Sequence, residues 1–161
     1  MMKNIILIVI VGVLLLLIFL YFIKNRKNNP LFAKGITLHE IGIQIDLLIQ
    51  DKLEYDFFGI TSNGIDCIYF VRNDSKINIE FEVMNENQKN FVEKYKEFAK
   101  KNDFEIECLT YGNKPNFANT EEAPVYRMLI NADKNKAEAI GVEIQKHVFN
   151  NNESSVFVIV P

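Results

Sequence analysis

Lys76-Ile-Asn-Ile-Glu-Phe-Glu-Val-Met84 alternates without a break. Ile77, Ile79, Phe81 and Val83 fall on one side, and Lys76, Asn78, Glu80 and Glu82 on the other. Successive side chains of an extended strand point to opposite faces, so this spacing predicts a strand with one buried and one outward face. Asn85 follows at once with Gln88 three positions on, a spacing that resembles the capping box opening a helix. Phe91, Val92, Tyr95, Phe98 and Ala99 then recur at helical spacing, with a solvated Lys/Glu face between them. Asn102-Asp103 ends that helix.

Downstream, Phe104 to Thr110 alternates again, with Phe104, Ile106 and Cys108 inward and Glu105 and Glu107 outward. A polar loop from Tyr111 to Pro124 precedes a strand over Val125–Ile130. Asn131 or Asp133 can cap the next helix, whose buried face is Ala137, Ile140, Ile144 and Val148. Gly141 lies beside that stripe, where the absence of a side chain lets a helix approach a sheet closely, at a propensity cost of about 1 kcal/mol. Lys146 and His147 suit the negative end of its dipole. Asn150-Asn151-Asn152 leads to a last apolar strand, Val156–Val160. Upstream, Thr37–Leu53 reads as a helix, Asp56–Thr61 as a short strand and Ser62-Asn63-Gly64 as a hairpin turn. Ile65–Arg72 carries apolar residues both ways and is expected to be a strand covered on both faces. Asn73-Asp74-Ser75 turns into the strand at Lys76.

From Lys76 on, the order is strand, helix, strand, strand, helix, strand, the split βαβ arrangement of ferredoxin-like folds. The expected fold class over 36–161 is α+β: a ferredoxin-like or related antiparallel sheet with two to three helices. One conflict stands in that reading. In the plain ferredoxin-like sheet the Lys76 strand already has a neighbour on each side, which leaves no place for a hairpin with Ile65–Arg72.

The opposite extreme of the chain obeys another rule. Ile5 to Ile23 holds no charge and no proline. At about 1.5 Å per residue a run of that length crosses the hydrocarbon core of a bilayer as a helix. Residues 1–23 are therefore expected to be a single-pass anchor and 24–35 a basic juxtamembrane linker. Tyr21 and Phe22 suit the interfacial aromatic belt, and Lys24, Arg26 and Lys27 suit the headgroup region on the non-translocated side. No small-x-small cleavage site follows, so an uncleaved anchor is expected rather than a signal peptide. The heavier basic flank predicts a cytosolic domain on a bacterial inner membrane; the use of Ile, Lys and Asn has an AT-rich bacterial character.

The formal net charge is −3, with no basic stripe, which argues against nucleic acid. Cys67 and Cys108 have no metal spacing and sit in apolar runs, so buried free thiols are expected. His39 and His147 lack companions at ligand spacing, and no glycine-rich loop opens a capped helix. No metal, cofactor, small-molecule ligand or catalytic residue is expected. Glu80, Glu82, Glu105 and Glu107 are expected to make an acidic sheet face with Arg127 among them, suited to docking a basic partner. Tyr111 and Phe117, aromatic residues on a long loop, make a second candidate contact. These features point to a membrane-anchored, non-catalytic protein-binding module, in the manner of a bacterial immunity or regulatory protein. The alternative is a structural subunit of an envelope assembly with an extracytoplasmic domain. One transmembrane helix followed by a ferredoxin-like domain looks like the inner-membrane components of type II secretion and type IV pilus systems.

Overall fold

The computed structural model describes residues 35–110 and 123–160. The segment Ile5–Ile23, the interfacial Tyr21, Phe22, Lys24, Arg26 and Lys27, and the loop aromatics Tyr111 and Phe117 lie outside them. Among the described residues no helix is long and apolar enough to cross a membrane.

A single 3-10 turn, Leu38–Glu40, opens the first helix, α1 (Ile41–Ile49). The Glu40 carboxylate folds back to accept from the Thr37 backbone N–H at 2.9 Å and its hydroxyl at 3.1 Å. Two strands follow, β1 (Phe57–Thr61) and β2 (Ile68–Asn73). Next come β3 (Lys76–Glu82) and α2 (Glu86–Lys101). The second half is β4 (Glu105–Thr110), β5 (Pro124–Ala132), α3 (Lys134–His147) and β6 (Val158–Val160). Among the described residues the fold is mixed α+β with three helices and six strands.

The helix starts follow their sequence signals. Asn85 Oδ1 accepts from the Gln88 N–H at 3.1 Å while Gln88 Oε1 accepts from the Asn85 N–H at 3.2 Å, closing the capping box of α2. Asp133, rather than Asn131, caps α3, accepting from the Lys136 N–H at 3.0 Å. Asp103 ends the α2 turn in the left-handed region (φ +57°).

All six strands pair antiparallel in the order β4-β5-β3-β2-β1-β6. This order removes the conflict in the sequence reading. β3 pairs with β5 on one side and β2 on the other, so β6 lies at the far edge beside β1, not beside β3. Two strands, an even number, stand between β3 and β6, which leaves the direction of β6 relative to β3 unchanged. The end of β6 is extended by an isolated bridge, where Ile36 N–H donates to Phe157 O at 2.8 Å and Phe157 N–H to Ile36 O at 2.7 Å.

The helices cover one face. A cross-strand row Phe58–Phe70–Ile79–Met128–Ile106 runs under them. Ile41, Ile45 and Leu48 of α1, Val92, Tyr95 and Ala99 of α2, and Ala137, Ile140 and Ile144 of α3 join it in one buried cluster. Each fully buried large side chain contributes about 1.5–3 kcal/mol of apolar transfer. Tyr95 buries its ring against Phe81 and donates its hydroxyl to Ile79 O at 3.0 Å. At Gly141, α3 rides directly over the Phe70 ring, so that a Cβ there would overlap the ring edge. Glycine is required by that approach, as its place in the stripe predicts.

Two local expectations need correction. β2 begins at Ile68 rather than Ile65, because Ile65–Cys67 are held in a side-chain-bonded loop. Its outward residues Tyr69 and Val71 are half-buried rather than covered. In β5 two extra residues oppose Asn78, with Asn131 at φ +43°, and the Asn131 N–H donates to Asn78 Oδ1 at 3.0 Å. Because the insertion is even, Met128, Ile130 and Ala132 all stay on the helix side.

The open sheet face as candidate binding site

On the face away from the helices a second cross-strand row runs Val160–Gly59–Tyr69–Glu80–Arg127–Glu107. Strand parity adds Glu82 beside Glu80 and Glu105 beside Glu107. The sheet thus brings Glu80, Glu82, Glu105, Glu107 and Arg127 together on one face, in a graded rather than uniform setting. Glu105 and Glu107 are exposed, Glu82 is half-buried and Glu80 is 4% exposed. An exposed Glu80 was expected from alternation alone. It stands instead in the middle of the row, between Arg127 and Tyr69, and is out of solvent.

Arg127 Nε donates to Glu80 Oε1 at 2.6 Å, and Nη2 lies 2.5 Å from the same oxygen. A carboxylate this buried needs such a partner, since removing one member of a buried pair leaves an uncompensated charge. Burial, reinforced by the Glu80 charge, raises the Glu82 carboxyl above its ordinary range. The face therefore grades from a paired, buried carboxylate on β3 to two solvated ones on the edge strand β4.

Cys67 is hydrogen-bonded to Tyr69, a member of the same row. Burial pushes the Cys67 thiol up to about 12, against the pull of its hydrogen bond with Tyr69; the charges of Asp66 and Glu82 add to the rise. Tyr69 is raised as well, chiefly by burial. A thiol held in that range stays protonated at neutral pH and is a poor nucleophile. Cys108 corrects the expectation of two buried thiols. It points to the helix side, yet β4 is an edge strand and Cys108 is exposed. His147 Nε2 sits 2.9 Å from Glu143 on the α3 surface. Among the described residues no cluster of His, Cys, Asp or Glu could hold a metal ion.

A polar centre that the sequence reading passed over lies in the β1–β2 loop. Asp66, 1% exposed, accepts at Oδ1 from the Thr61 hydroxyl (2.7 Å), the Ser62 N–H (2.9 Å) and the Asn63 N–H (3.3 Å). Its Oδ2 accepts from the Ser62 hydroxyl at 2.5 Å and Asn151 Nδ2 at 2.6 Å. Gln145 Nε2 donates to the Asp66 carbonyl at 3.0 Å, and Asn151 Nδ2 also donates to Gln145 Oε1 at 2.8 Å. Burial raises the Asp66 carboxyl, but the hydrogen bonds outweigh it and hold the group below its ordinary value of 3.8. Every donor is accounted for, so the cage ties the β1–β2 loop to α3 and does not present an open ligand site. Its signal in the sequence is Thr61-Ser62-Asn63-Gly64, a run of side chains that bond to nearby backbone.

The chain matches no protein-family model, no curated protein and no solved structure.

Proposed function

We propose that the chain is a membrane-anchored, non-catalytic protein-binding module of bacterial type, an immunity or regulatory protein. In this reading Ile5–Ile23 holds the domain at the cytosolic face of the inner membrane, and the acidic sheet face takes a basic protein partner. The observation that carries it is the exposure of Glu105 and Glu107 on the face that also carries half-buried Glu82, while Arg127, the cation of the row, is held by Glu80. Such a patch attracts a basic surface and steers its approach. The thiol chemistry supports a binding role over a nucleophilic one, since Cys67 is held protonated.

β3-α2-β4-β5-α3-β6 traces the chain order of a ferredoxin-like unit, with the β1–β2 hairpin inserted between its first and last strands. That path also favours the second reading, a structural subunit of a secretion- or pilus-type envelope assembly with the domain outside the cytosol.

Two experiments on the full chain separate these. A single cysteine at Asn152, in a background lacking Cys67 and Cys108, is protected from an impermeant thiol reagent in intact cells if the domain is cytosolic; labelling there favours the envelope subunit. A photo-crosslinker beside Glu107 should give a defined protein adduct that disappears in E105Q/E107Q. An unchanged adduct in that variant overturns the acidic-face reading.

A further inference from the structure

We infer that the outer edge of β4 is a strand-addition site that takes an extended segment with basic and apolar residues in alternation. This deepens the acidic-face reading and rests on it.

The sheet has two edges of unlike character. β6 is three residues long. β4 is six residues long, contains no proline and no lysine, and pairs only with β5 among the described residues. Alternate residues of an antiparallel edge strand direct their N–H and C=O groups away from the sheet, which is a template for one more strand. Protein sheets usually blunt such an edge with proline, inward charge or a covering element, and β4 carries none of these among the described residues.

The two sides of β4 then specify what an added strand would carry. On the open face Glu105 and Glu107 are exposed, two residues apart and so on the same side. Basic side chains two residues apart on the incoming strand would lie beside them, at the distance of cross-strand pairs. On the helix face Ile106 and Cys108 form the wall of an open groove of about 520 Å³, with Lys96, Ala99 and Lys100 of α2 opposite and Tyr126 at its base. Lys96 Nζ sits 5.1 Å over the Tyr126 ring, which keeps that end of the floor apolar beneath a cation. The alternate side chains of an incoming strand enter this groove, where aliphatic groups can cover half-buried Phe104 and Ile106. An edge strand with a helix alongside offers main-chain bonds for affinity and a groove for specificity, the arrangement by which extended peptides are captured.

The same charges count against a second copy as the occupant. Two β4 edges paired about Glu105, Ile106 or Glu107 would set the glutamates of one copy against those of the next, and like charges across strands are destabilising.

The test uses the full-length chain in a neutral detergent and three synthetic peptides. One is acetyl-Lys-Val-Lys-Val-Lys-Val-amide; the second is the same peptide with alternate backbone nitrogens methylated; the third has Glu for Lys. The first should bind saturably at or below about 1 mM and weaken with salt. Methylation keeps the charge and removes main-chain donors, and should weaken binding about tenfold. The glutamate peptide should bind only to E105K/E107K. Amide exchange of alternate β4 residues should slow with the first peptide alone. Equal binding of methylated and unmethylated peptides with no protection in β4 overturns strand addition and leaves the acidic face standing. No binding by either lysine peptide overturns both.

Discussion

Replacing Asp66 with asparagine is the sharpest test of how the domain is held together. The change is nearly isosteric, so packing is preserved while the acceptor set is broken. If the new carbonyl takes the place of Oδ1, it keeps the Thr61 hydroxyl and the Ser62 and Asn63 N–H groups. The new NH2 group then meets the Ser62 hydroxyl, which can turn to accept, and Asn151 Nδ2, which cannot. Turning the Asn151 amide over would mend that contact only by losing its donation to Gln145 Oε1. One buried donor is therefore orphaned, at about 1–3 kcal/mol, and the remaining bonds lose their charge assistance. We expect D66N to be less stable by about 3 kcal/mol, a large share of the roughly 5–15 kcal/mol that holds an ordinary domain.

The assay is chemical denaturation of the full chain followed by near-ultraviolet circular dichroism, run from pH 7 into acid. The folded-state pKa of Asp66 lies below the unfolded value of 3.8. Its contribution is therefore complete above that value and is lost as pH falls through the folded one. The chain with Asp66 intact should accordingly show an acid loss below about pH 4 that D66N lacks, so the gap between the two narrows in acid. A D66N midpoint equivalent to less than about 1 kcal/mol of change, with parallel acid limbs, would refute the account of the cage.

Three further outcomes follow from features elsewhere in the fold. Gly141→Ala should destabilise by about 1 kcal/mol in spite of better helix propensity, because the added Cβ meets Phe70. Shortening Phe70 in the same chain should lessen that penalty in a double-mutant thermal melt. Arg127→Met should cost about 3–5 kcal/mol by removing the guanidinium that pairs with buried Glu80, whereas R127M/E80L should recover most of it in the same denaturation assay. A thiol titration at pH 8 should find Cys108 reactive in the native chain, with Cys67 appearing only on unfolding; equal rates would contradict the burial assigned to Cys67.

What could be read in the sequence was local. The α2 capping box closes within four residues, and Gly141 sits in a stripe whose period is set by its own helix. The alternation of β3 assigned Ile77, Ile79 and Phe81 to the buried side. It could not tell that Glu80, on the other side, is also withdrawn from solvent, because burial depends on what lies around a strand and not on its own period. Strand order is nonlocal in the same way: whether β2 or β6 stands beside β3 depends on pairing partners nearly eighty residues apart, about which periodicity is silent. Asp66 was passed over because its donors come from two segments, Thr61–Asn63 and Asn151, and only the first carries a recognisable turn composition. Grouping the four glutamates required only that β3 and β4 share a sheet, while the grading from buried to exposed required β5 between them.

The bridge between Ile36 and Phe157 has a mechanical consequence. Residue 35 is where any tension carried along the preceding chain enters the fold. The first joint such a pull meets is one antiparallel pair with two hydrogen bonds, not the longer ladders of β1, β2 and β3. Among the described residues that short seam is loaded first, and it would yield by peeling Ile36 from Phe157. Release there frees the entry segment while the Asp66 cage and the β3–β5–β4 half keep their own bonds. A domain entered in this way has a weak link at the start of its described fold, and its opposite edge, β4, is the last to feel the force.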